Sequence, residues 1–554
     1  MIDRRTMLGG AASLMLLSRL RAQAAETGLD AALVNGSFWT GVPGQDGVRA
    51  IGISGDRIAA IGDAQVRSMI TRRTRVIDLD GAFAMPALTD GHTHFLKGSH
   101  TLTQPDLLAA HSRADFAARI GAAARKRPGK WITGGAWDEQ RMGGDLPTHD
   151  WIDAVTPDTP VAVPRTDLHS YLLNAVAMKL AGITRDTPDP DGGVIVRDAD
   201  GEPTGIVKDN AKTLVERVIP PLSDADAEAA VRRGIDHGLS KGLGHIHNPE
   251  INWDCYPVLR RLREKGETDI RFYAFVPITG WEKMAGIVAE EGRGDDWLRW
   301  GAVKALADGS LGSRTALFYD DYSDASGQRG VRVTPLGDLH EMVRQADAHG
   351  LHVATHAIGD RANDDVLDVY AAVAKANGPK DRRFRVEHAQ HLRPESIKRF
   401  AEQGVIASVQ PYHAIDDGRW AVKRIGEKRL EGTYAFRSLI ESGAHVAFGS
   451  DWPVAPLDPL TGIYAGITRR TIDGKNPDGW LPDQKVTAEQ ALTAYTRGNA
   501  YSGFIEDRSG ILAPGYYADI AVFDGDLLTI DPLKIPEVKT LHTFVGGKQR
   551  YTAA

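Results

Sequence analysis

The stretch HVATHAIGDRANDDVLDVYAAVAKANG, residues 352–378, contains the pattern that decides the fold. Its first part is a short apolar run with His356 near its end, which is typical of a buried β-strand. Apolar residues at helical spacing then begin near Asp364 and end at Gly378, a residue type common at helix C-termini. A strand followed by a helix of this length predicts parallel strands joined by right-handed crossovers.

The same alternation of strand and helix continues on both sides of this stretch. It recurs in VKALAD (303–308), LHEMVRQADAHG (339–350), FRVEHAQ (384–390), PESIKRFAEQG (394–404), VIASVQ (405–410), FRSLIESG (436–443) and HVAFGSD (445–451). Two α/β architectures contain such units, a (β/α)8 TIM-type barrel and a doubly wound sheet. The alternation alone leaves both open.

Polar residues at the strand ends favour the barrel. Side chains that can bind metal ions or transfer protons stand at or just after the C-terminal ends of five strand-like segments: His94, Lys304, His356, His388 and Asp451. A barrel brings these ends together on one face, whereas an open sheet spreads them along a line. We therefore predict a (β/α)8 barrel.

The two ends of the chain differ from this middle part. Both read as short alternating strands separated by turns, without long helical segments. We expect one small β-sandwich built from residues 26–86 and 508–554, beside a barrel of residues 87–507. A segment of about residues 125–215 is rich in Pro, Gly and Asp and does not fit the barrel pattern. We expect it to be an insertion over the barrel mouth.

The first 25 residues resemble a twin-arginine signal peptide. Arg4 and Arg5 precede a short apolar segment, and an Ala-Gln-Ala triplet ends at Ala24. About ten apolar residues are too few to span a bilayer. We expect export to the periplasm and a mature protein that starts near Ala25. The alternative is an amphipathic N-terminal segment without a targeting role.

The composition indicates a soluble globular enzyme or binding protein. Of 554 residues, 42% are hydrophobic and 25% charged, and the formal net charge is -7. Without long basic clusters, we expect a small-molecule substrate, no nucleic acid and no membrane contact of the mature form. The sequence is compatible with a homo-oligomer. The single cysteine, Cys255, excludes an intrachain disulfide and a thiolate site, so any metal needs nitrogen and oxygen ligands.

The His-x-His pair in FAMPALTDGHTH is the strongest metal-binding signal. An apolar strand ends in His92 and His94, and strand alternation would point both imidazoles to the same side. His356, His388 and Asp451 end other strands, so the barrel would gather all five side chains on one face. Each of them alone is more often a structural polar residue. Together they predict a site for a divalent metal ion.

Lys304 is unusual because it stands within an apolar strand, between Val303 and Ala305. Burying a lysine is unfavourable unless the amine is paired or modified. A neutral amine can react with carbon dioxide to give a carbamate, whose oxygens can bridge two metal ions. The alternative is that Lys304 extends to the barrel mouth or pairs with Asp308.

A second His-x-His pair, His245 and His247 in GLGHIHNPE, lacks the same support. The first set of ligands is already complete, and the following Asn-Pro suggests a turn. We do not expect direct metal binding by this pair, although a place in the pocket lining stays open.

The motifs together resemble the amidohydrolase superfamily. The resemblance is carried by HTH, Lys304, His356, His388 and Asp451 in this order, with GILAPGYYADIAVFD near the C-terminus. The segments VKALADGSLGSRTA, THAIGDRAND, RVEHAQH, GSDWPV and RTDLHSYLLNAVAMKLAGI are similar to amidohydrolase family 3, which includes YtcJ-like proteins and N-substituted formamide deformylase. The similarity covers nearly everything after the leader. His247 matches a family histidine, whereas Asn248 stands where the family has an acid.

This resemblance implies a barrel with a split β-sandwich and hydrolysis of a C–N bond in an amide, formamide or cyclic amide. It implies that His92, His94 and Asp451 bind one metal ion, zinc by ligand type, and that His356 and His388 bind a second one where two are present. A carbamylated Lys304 would bridge them. A metal-bound hydroxide would attack the carbonyl carbon, and Asp451 would carry the proton to the leaving amine.

Two other functions stay open from the sequence. The same site could hydrolyse an ester or lactone, or the barrel could bind metal without catalysis. Arg165, Asp167 and His169 in the expected insertion, with His247 and Arg314, are candidates for substrate binding. For the three insertion residues, a loop ion pair is the competing interpretation.

Overall fold

The computed structural model describes residues 28–165, 170–190 and 193–553, so the expected leader at residues 1–25 lies outside the described part. The strands in chain order are β1 (Ala31–Val34), β2 (Ser37–Phe38), β3 (Ile51–Ser54), β4 (Arg57–Ile61), β5 (Arg75–Asp78), β6 (Phe83–Pro86), β7 (Leu88–Asp90), β8 (Ala162–Pro164), β9 (Ser170–Leu173), β10 (Gly193–Arg197), β11 (Pro203–Asp209), β12 (Leu243–Pro249), β13 (Arg271–Pro277), β14 (Leu298–Leu306), β15 (His352–Ala357), β16 (Arg385–His388), β17 (Ile406–Val409), β18 (Val446–Phe448), β19 (Ile520–Phe523), β20 (Thr540–Val545) and β21 (Lys548–Thr552).

The α-helices are Asp63–Ser68, Phe95–Thr101, Arg113–Lys126, Ala175–Ala181, Thr213–Glu216, Asp224–Leu239, Cys255–Glu264, Trp281–Glu291, Leu336–Ala348, Asp360–Asn377, Pro394–Gln403, Pro411–Asp417, Ala421–Ile425, Phe436–Glu441, Pro459–Thr468, Ala488–Thr493 and Asn499–Ser502. Shorter 3-10 turns connect several of them, and a π-helical turn spans Ala494–Gly498. Within the described ranges, no helix combines the length and apolar character needed to cross a membrane.

Eight parallel strands form the central sheet, in the order β7-β12-β13-β14-β15-β16-β17-β18. Helices connect most consecutive strands, as expected for parallel pairs, which need long crossovers. Most residues of these strands are buried, because side chains fill the barrel on one face and helices cover the other. The predicted (β/α)8 barrel is confirmed.

The first and last strands of this sheet meet and close the barrel. The Gly91 N–H donates to the Phe448 carbonyl at 3.0 Å. The buried Asn499 amide donates to the carbonyls of Thr89 and Phe448, at 2.8 and 2.9 Å. A Cβ atom at Gly91 would lie 2.4 Å from Asn499 Oδ1, so only glycine permits this close approach. Closure places the C-terminal ends of all eight strands on one face.

The two ends of the chain build a β-sandwich. One sheet has the order β4-β3-β1-β5, and the other has the order β2-β6-β19-β20-β21. The second sheet combines N-terminal and C-terminal strands, since β6 pairs antiparallel with β19. Apolar residues of both sheets, including Leu33, Ile53, Ile520 and Phe544, pack into one core. The split sandwich of the predicted fold class is therefore confirmed, and the helix Asp63–Ser68 is an element that the sequence pattern did not show.

Residues Leu96–Gly234 form a second compact unit. Its antiparallel sheet has the order β10-β11-β9-β8, and Phe116, Trp137 and Ile152 belong to one of its two apolar cores. The expected insertion of about residues 125–215 lies within this unit.

Candidate metal centre

The six predicted metal ligands all stand at the carboxyl ends of barrel strands. Lys304, His356 and His388 lie within the last three residues of β14, β15 and β16, and Asp451 follows β18. His92 and His94 lie after β7, which ends at Asp90, so the pair is not within the strand as expected.

Backbone pairing between the first and last barrel strands places the His-x-His pair beside Asp451. The Asp451 N–H donates to the His92 carbonyl at 2.7 Å, and the His94 N–H donates to the Trp452 carbonyl at 2.8 Å. Thr93 and Trp452 also form a parallel bridge. The turn after β7 is therefore held in register with the turn after β18.

The Asp451 carboxylate lies between the two imidazoles. Its Oδ1 atom is 3.5 Å from Nε2 of His92 and 3.3 Å from Nε2 of His94. This oxygen is buried and has no hydrogen-bond partner among the described residues. A buried carboxylate oxygen needs a hydrogen-bond donor or a cation. The ligand atoms of the three residues lie within 4.8 Å of one another, so this group is a candidate to hold one ion.

Each of the four predicted histidine ligands has one ring nitrogen directed at an oxygen. The pairs are His92 Nδ1 with Glu387 at 2.6 Å, His94 Nδ1 with Glu250 at 3.1 Å, His388 Nδ1 with the Gln410 side-chain oxygen at 2.8 Å, and His356 Nε2 with the Gly309 carbonyl at 3.0 Å. A neutral imidazole that donates from one nitrogen keeps a lone pair on the other. Such acceptors orient histidines that bind metal ions.

The electrostatics favour neutral His92 and His356, a protonated His94 and a charged Asp451 carboxylate. Burial, reinforced by the charge of Lys304, lowers the pKa of His92 to about 4 and that of His356 to about 3. Burial also lowers the pKa of His94, but Asp451 and Glu250 outweigh it and raise that pKa to about 9. Burial alone would raise the pKa of Asp451, yet the histidines around it hold that pKa well below its usual range. A metal ion bound here would displace the His94 proton.

Lys304 lies beside these ligands with a buried side chain. Its Nζ atom is 3.5 Å from Nε2 of His92, and it makes no salt bridge to a carboxylate of the described residues. Burial lowers the pKa of Lys304 to about 8, although Glu387 and Asp451 oppose the shift. Asp308 instead accepts hydrogen bonds from three backbone N–H groups. A sizeable fraction of the Lys304 amine is therefore neutral near pH 8.

A buried ion pair between Arg385 and Glu387 holds the ligand His92 in place. Arg385 donates to both carboxylate oxygens of Glu387, at 2.7 and 3.2 Å, and Glu387 in turn accepts from His92. Both side chains are fully buried. Arg385 also donates to Nδ1 of His247 at 3.1 Å, so His247 contacts the supporting layer rather than the ligand cluster.

The sequence interpretation missed His413 and the acid Glu250. His413 lies on the helix Pro411–Asp417, directly after β17, and its Nε2 is 3.9 Å from Asp451 Oδ2. With His388 and Asp451 it forms a second group of ligand atoms within 4.8 Å of one another. The only sequence signal was a histidine four residues beyond a strand end.

The remaining predicted substrate-binding residues have other partners or are not described. Arg314 donates to both carboxylate oxygens of Asp324, at 3.1 and 2.9 Å. Arg165, in the second compact unit, donates to both oxygens of Glu139 at 2.8 Å. Asp167 and His169 lie outside the described residues. A role of any of these residues toward a substrate stays a prediction.

Comparison with known proteins agrees with this geometry. Residues 75–551 match the model of the amidohydrolase family. The chain belongs to this family. This amidohydrolase is 36% identical to the protein LONG AFTER FAR-RED 3 of Arabidopsis thaliana, over 94% of this chain and 91% of that one. It is 33% identical to the putative amidohydrolase YtcJ of Bacillus subtilis, over 86% of this chain and 90% of that one.

Two further comparisons bear on the reaction. The amidohydrolase is 26% identical to N-substituted formamide deformylase of Arthrobacter pascens, over 91% of this chain and 95% of that one. A crystal structure of an uncharacterized metal-dependent hydrolase from Pyrococcus horikoshii covers 91% of this chain and 99% of its own, with 30% identity and a TM-score of 0.78. The predicted family is confirmed, and the chain is a metal-dependent hydrolase.

Proposed function

We propose that this amidohydrolase cleaves the C–N bond of an amide, formamide or cyclic amide. The observation that carries the proposal is the cluster of four histidines, each with one ring nitrogen held by an acceptor, and the buried Asp451 carboxylate. Its Oδ1 atom lies 3.5 and 3.3 Å from the free ring nitrogens of His92 and His94. The relative named as a formamide deformylase supports a C–N bond as the target.

The donor atoms fit a divalent transition-metal ion, and zinc suits imidazole and carboxylate ligands best. His92, His94 and Asp451 would hold one ion, and His356 and His388 would hold a second. When bound, such an ion lowers the pKa of a water molecule and polarises a carbonyl oxygen.

Lys304 would complete a site for two ions as a carbamate. The neutral amine attacks carbon dioxide, a C–N bond forms, and one proton leaves, which gives a carbamate with two donor oxygens. Burial favours this reaction because it lowers the pKa of the Lys304 amine to about 8. The position of Nζ beside His92 would direct those oxygens toward the ligand cluster.

Asp451 is proposed as the proton carrier. Its pKa lies well below the usual range, so the carboxylate is in the ionised form that a proton acceptor for the attacking water needs. The same carboxyl group then donates this proton to the leaving nitrogen, so that the amine departs neutral. A positioned acid–base group of this kind contributes about 10²–10⁴-fold to the rate.

The test compares matched substrates with the zinc-loaded protein. An N-substituted formamide, a cyclic amide and the corresponding ester and lactone are assayed with wild-type protein, Asp451→Asn and a buried control, Asp519→Asn. We expect turnover of at least one C–N substrate, about 10²–10⁴-fold slower in D451N and unchanged in D519N.

Other outcomes contradict the proposal in different ways. Turnover restricted to the ester or lactone would make the chain an esterase or lactonase. Metal binding without turnover of any of the four substrates would favour a non-catalytic barrel.

A further inference from the structure

His413 is a buried imidazole that the proposed ligand set does not use. Its side chain is 10% exposed, and Nε2 has no hydrogen-bond partner among the described residues. This nitrogen lies 3.9 Å from Oδ2 of Asp451, on the opposite carboxylate oxygen from the one near His92 and His94. A buried ring nitrogen without a protein partner is available to bind an ion or a substrate atom.

At the ends of β16 and β17, a glutamine side chain contacts Nδ1 of each of two histidines. Oε1 of Gln410, after β17, accepts from Nδ1 of His388 at 2.8 Å, whereas Nε2 of Gln390, after β16, lies 3.3 Å from Nδ1 of His413. The two imidazole rings are nearly parallel, with 13° between their planes and 6.3 Å between their centroids. In both histidines, the side-chain amide occupies Nδ1 and leaves Nε2 for another partner.

The distance between His413 and Asp451 is compatible with one ion contacting both residues. Ligand atoms of His388, His413 and Asp451 lie within 4.8 Å of one another. Two atoms that each lie about 2.0–2.2 Å from the same zinc ion are at most about 4.4 Å apart. The 3.9 Å between His413 Nε2 and Asp451 Oδ2 falls within this limit.

We propose that His413 is a further metal ligand, through Nε2, for the ion that His388 binds; this rests on the proposed function. Metal binding needs a lone pair on Nε2, so Nδ1 must donate its proton to Gln390. A half-turn of the Gln390 amide presents its oxygen to Nδ1, because amide oxygen and nitrogen are nearly interchangeable in shape. His413 then matches the arrangement of His388.

The test measures metal binding by wild-type protein, His413→Gln and Gln390→Met. Zinc affinity is determined by competition with a chelator, and the cobalt-loaded forms are compared by visible absorption. We expect one of the zinc ions to bind H413Q at least about 100-fold more weakly than wild type. Loss of a group that only orients a metal ligand already lowers affinity by about 10–100-fold, and loss of the ligand itself should cost at least as much. The cobalt spectrum of H413Q changes as well, and Q390M loses about 10-fold in affinity.

His391→Gln is the matched control. His391 is also buried, its Nε2 has no partner among the described residues, and its Nδ1 contacts Thr433 at 2.9 Å, but it belongs to neither ligand group. H391Q should bind metal like wild type. Unchanged affinity and cobalt spectrum in H413Q overturn the proposal and leave the proposed function intact. If H413Q does not fold, unchanged affinity in Q390M overturns it, and wild-type protein that binds no metal overturns both.

Discussion

Replacing Glu387 by glutamine tests how the barrel orients its metal ligands. Glu387 accepts from His92 Nδ1 at 2.6 Å and from Arg385 at 2.7 and 3.2 Å, and none of the three side chains is exposed. Glutamine has nearly the same shape but no charge. Its single oxygen cannot serve both His92 and Arg385 as well as a carboxylate does.

Two effects of this change can be given a magnitude. Loss of the acceptor that orients a ligand weakens metal binding by about 10–100-fold, which corresponds to about 1.4–2.7 kcal/mol. Breaking a buried ion pair lowers the free energy of unfolding by about 3–5 kcal/mol. Arg385 keeps its bonds to His247, Gly91 and Ser408, so we expect the lower end of this range.

Asp519→Asn is the matched control for this experiment. Arg271 donates to Asp519 with the same distances, 2.7 and 3.2 Å, in a buried pair that does not contact the metal ligands. Urea unfolding with and without chelator, together with zinc affinity, separates the two effects. E387Q should lose stability in both forms and lose zinc affinity, whereas D519N should lose only stability. Equal zinc affinity of E387Q, D519N and wild type would refute the reasoning.

Three further predictions follow from single residues. Lys304→Ala should lose one of the two metal ions per chain, and an added short carboxylic acid should restore that ion. The control variant Lys241→Ala should keep both ions. An unchanged metal content in K304A would contradict the proposed carbamate. Burial raises the pKa of Asp417 to about 7 from its ordinary 3.8, so folding opposes its ionisation and stability should fall as the pH rises from about 4 to 7. Asp417→Asn should remove this fall and stabilise the protein at pH 8 by up to about 4 kcal/mol in urea unfolding; equal destabilisation at pH 5 and pH 8 would contradict it. Asn499→Ala should lower the free energy of unfolding by about 2–4 kcal/mol, because it leaves two buried carbonyls at the barrel seam without donors; a change below about 0.5 kcal/mol would contradict that role.

The barrel was predictable because its evidence is local. Each strand is a short apolar run, and His356, His388 and Asp451 mark the ends of such runs directly. The convergence of strand ends in a barrel then brings distant side chains together without any knowledge of their packing. The residue types at strand ends therefore carried most of the information about the centre.

The groups that orient the ligands were not predictable in the same way. Glu387 meets His92 across 295 residues of sequence, and Glu250 meets His94 across 156. These contacts depend on strand register and on barrel closure, which no local pattern specifies. His413 was not predicted because it lies on a helix after the strand end rather than at the end itself.

The strand assignment of the His-x-His pair failed for a related reason. FAMPAL and the residues after it read as one continuous strand, yet the structure divides them into β6, which joins the sandwich, and β7, which joins the barrel. The chain leaves β7 at Asp90 because Gly91 must pass close to the last strand. The turn, rather than strand alternation, directs His92 and His94 toward Asp451.

The most direct test of the metal centre is the metal content of protein purified without chelator, measured by elemental analysis for wild type and His388→Ala. We predict two transition-metal ions per wild-type chain, zinc foremost, and one in the variant. A folded wild-type chain that contains no metal and takes up none from added zinc would contradict the central claim.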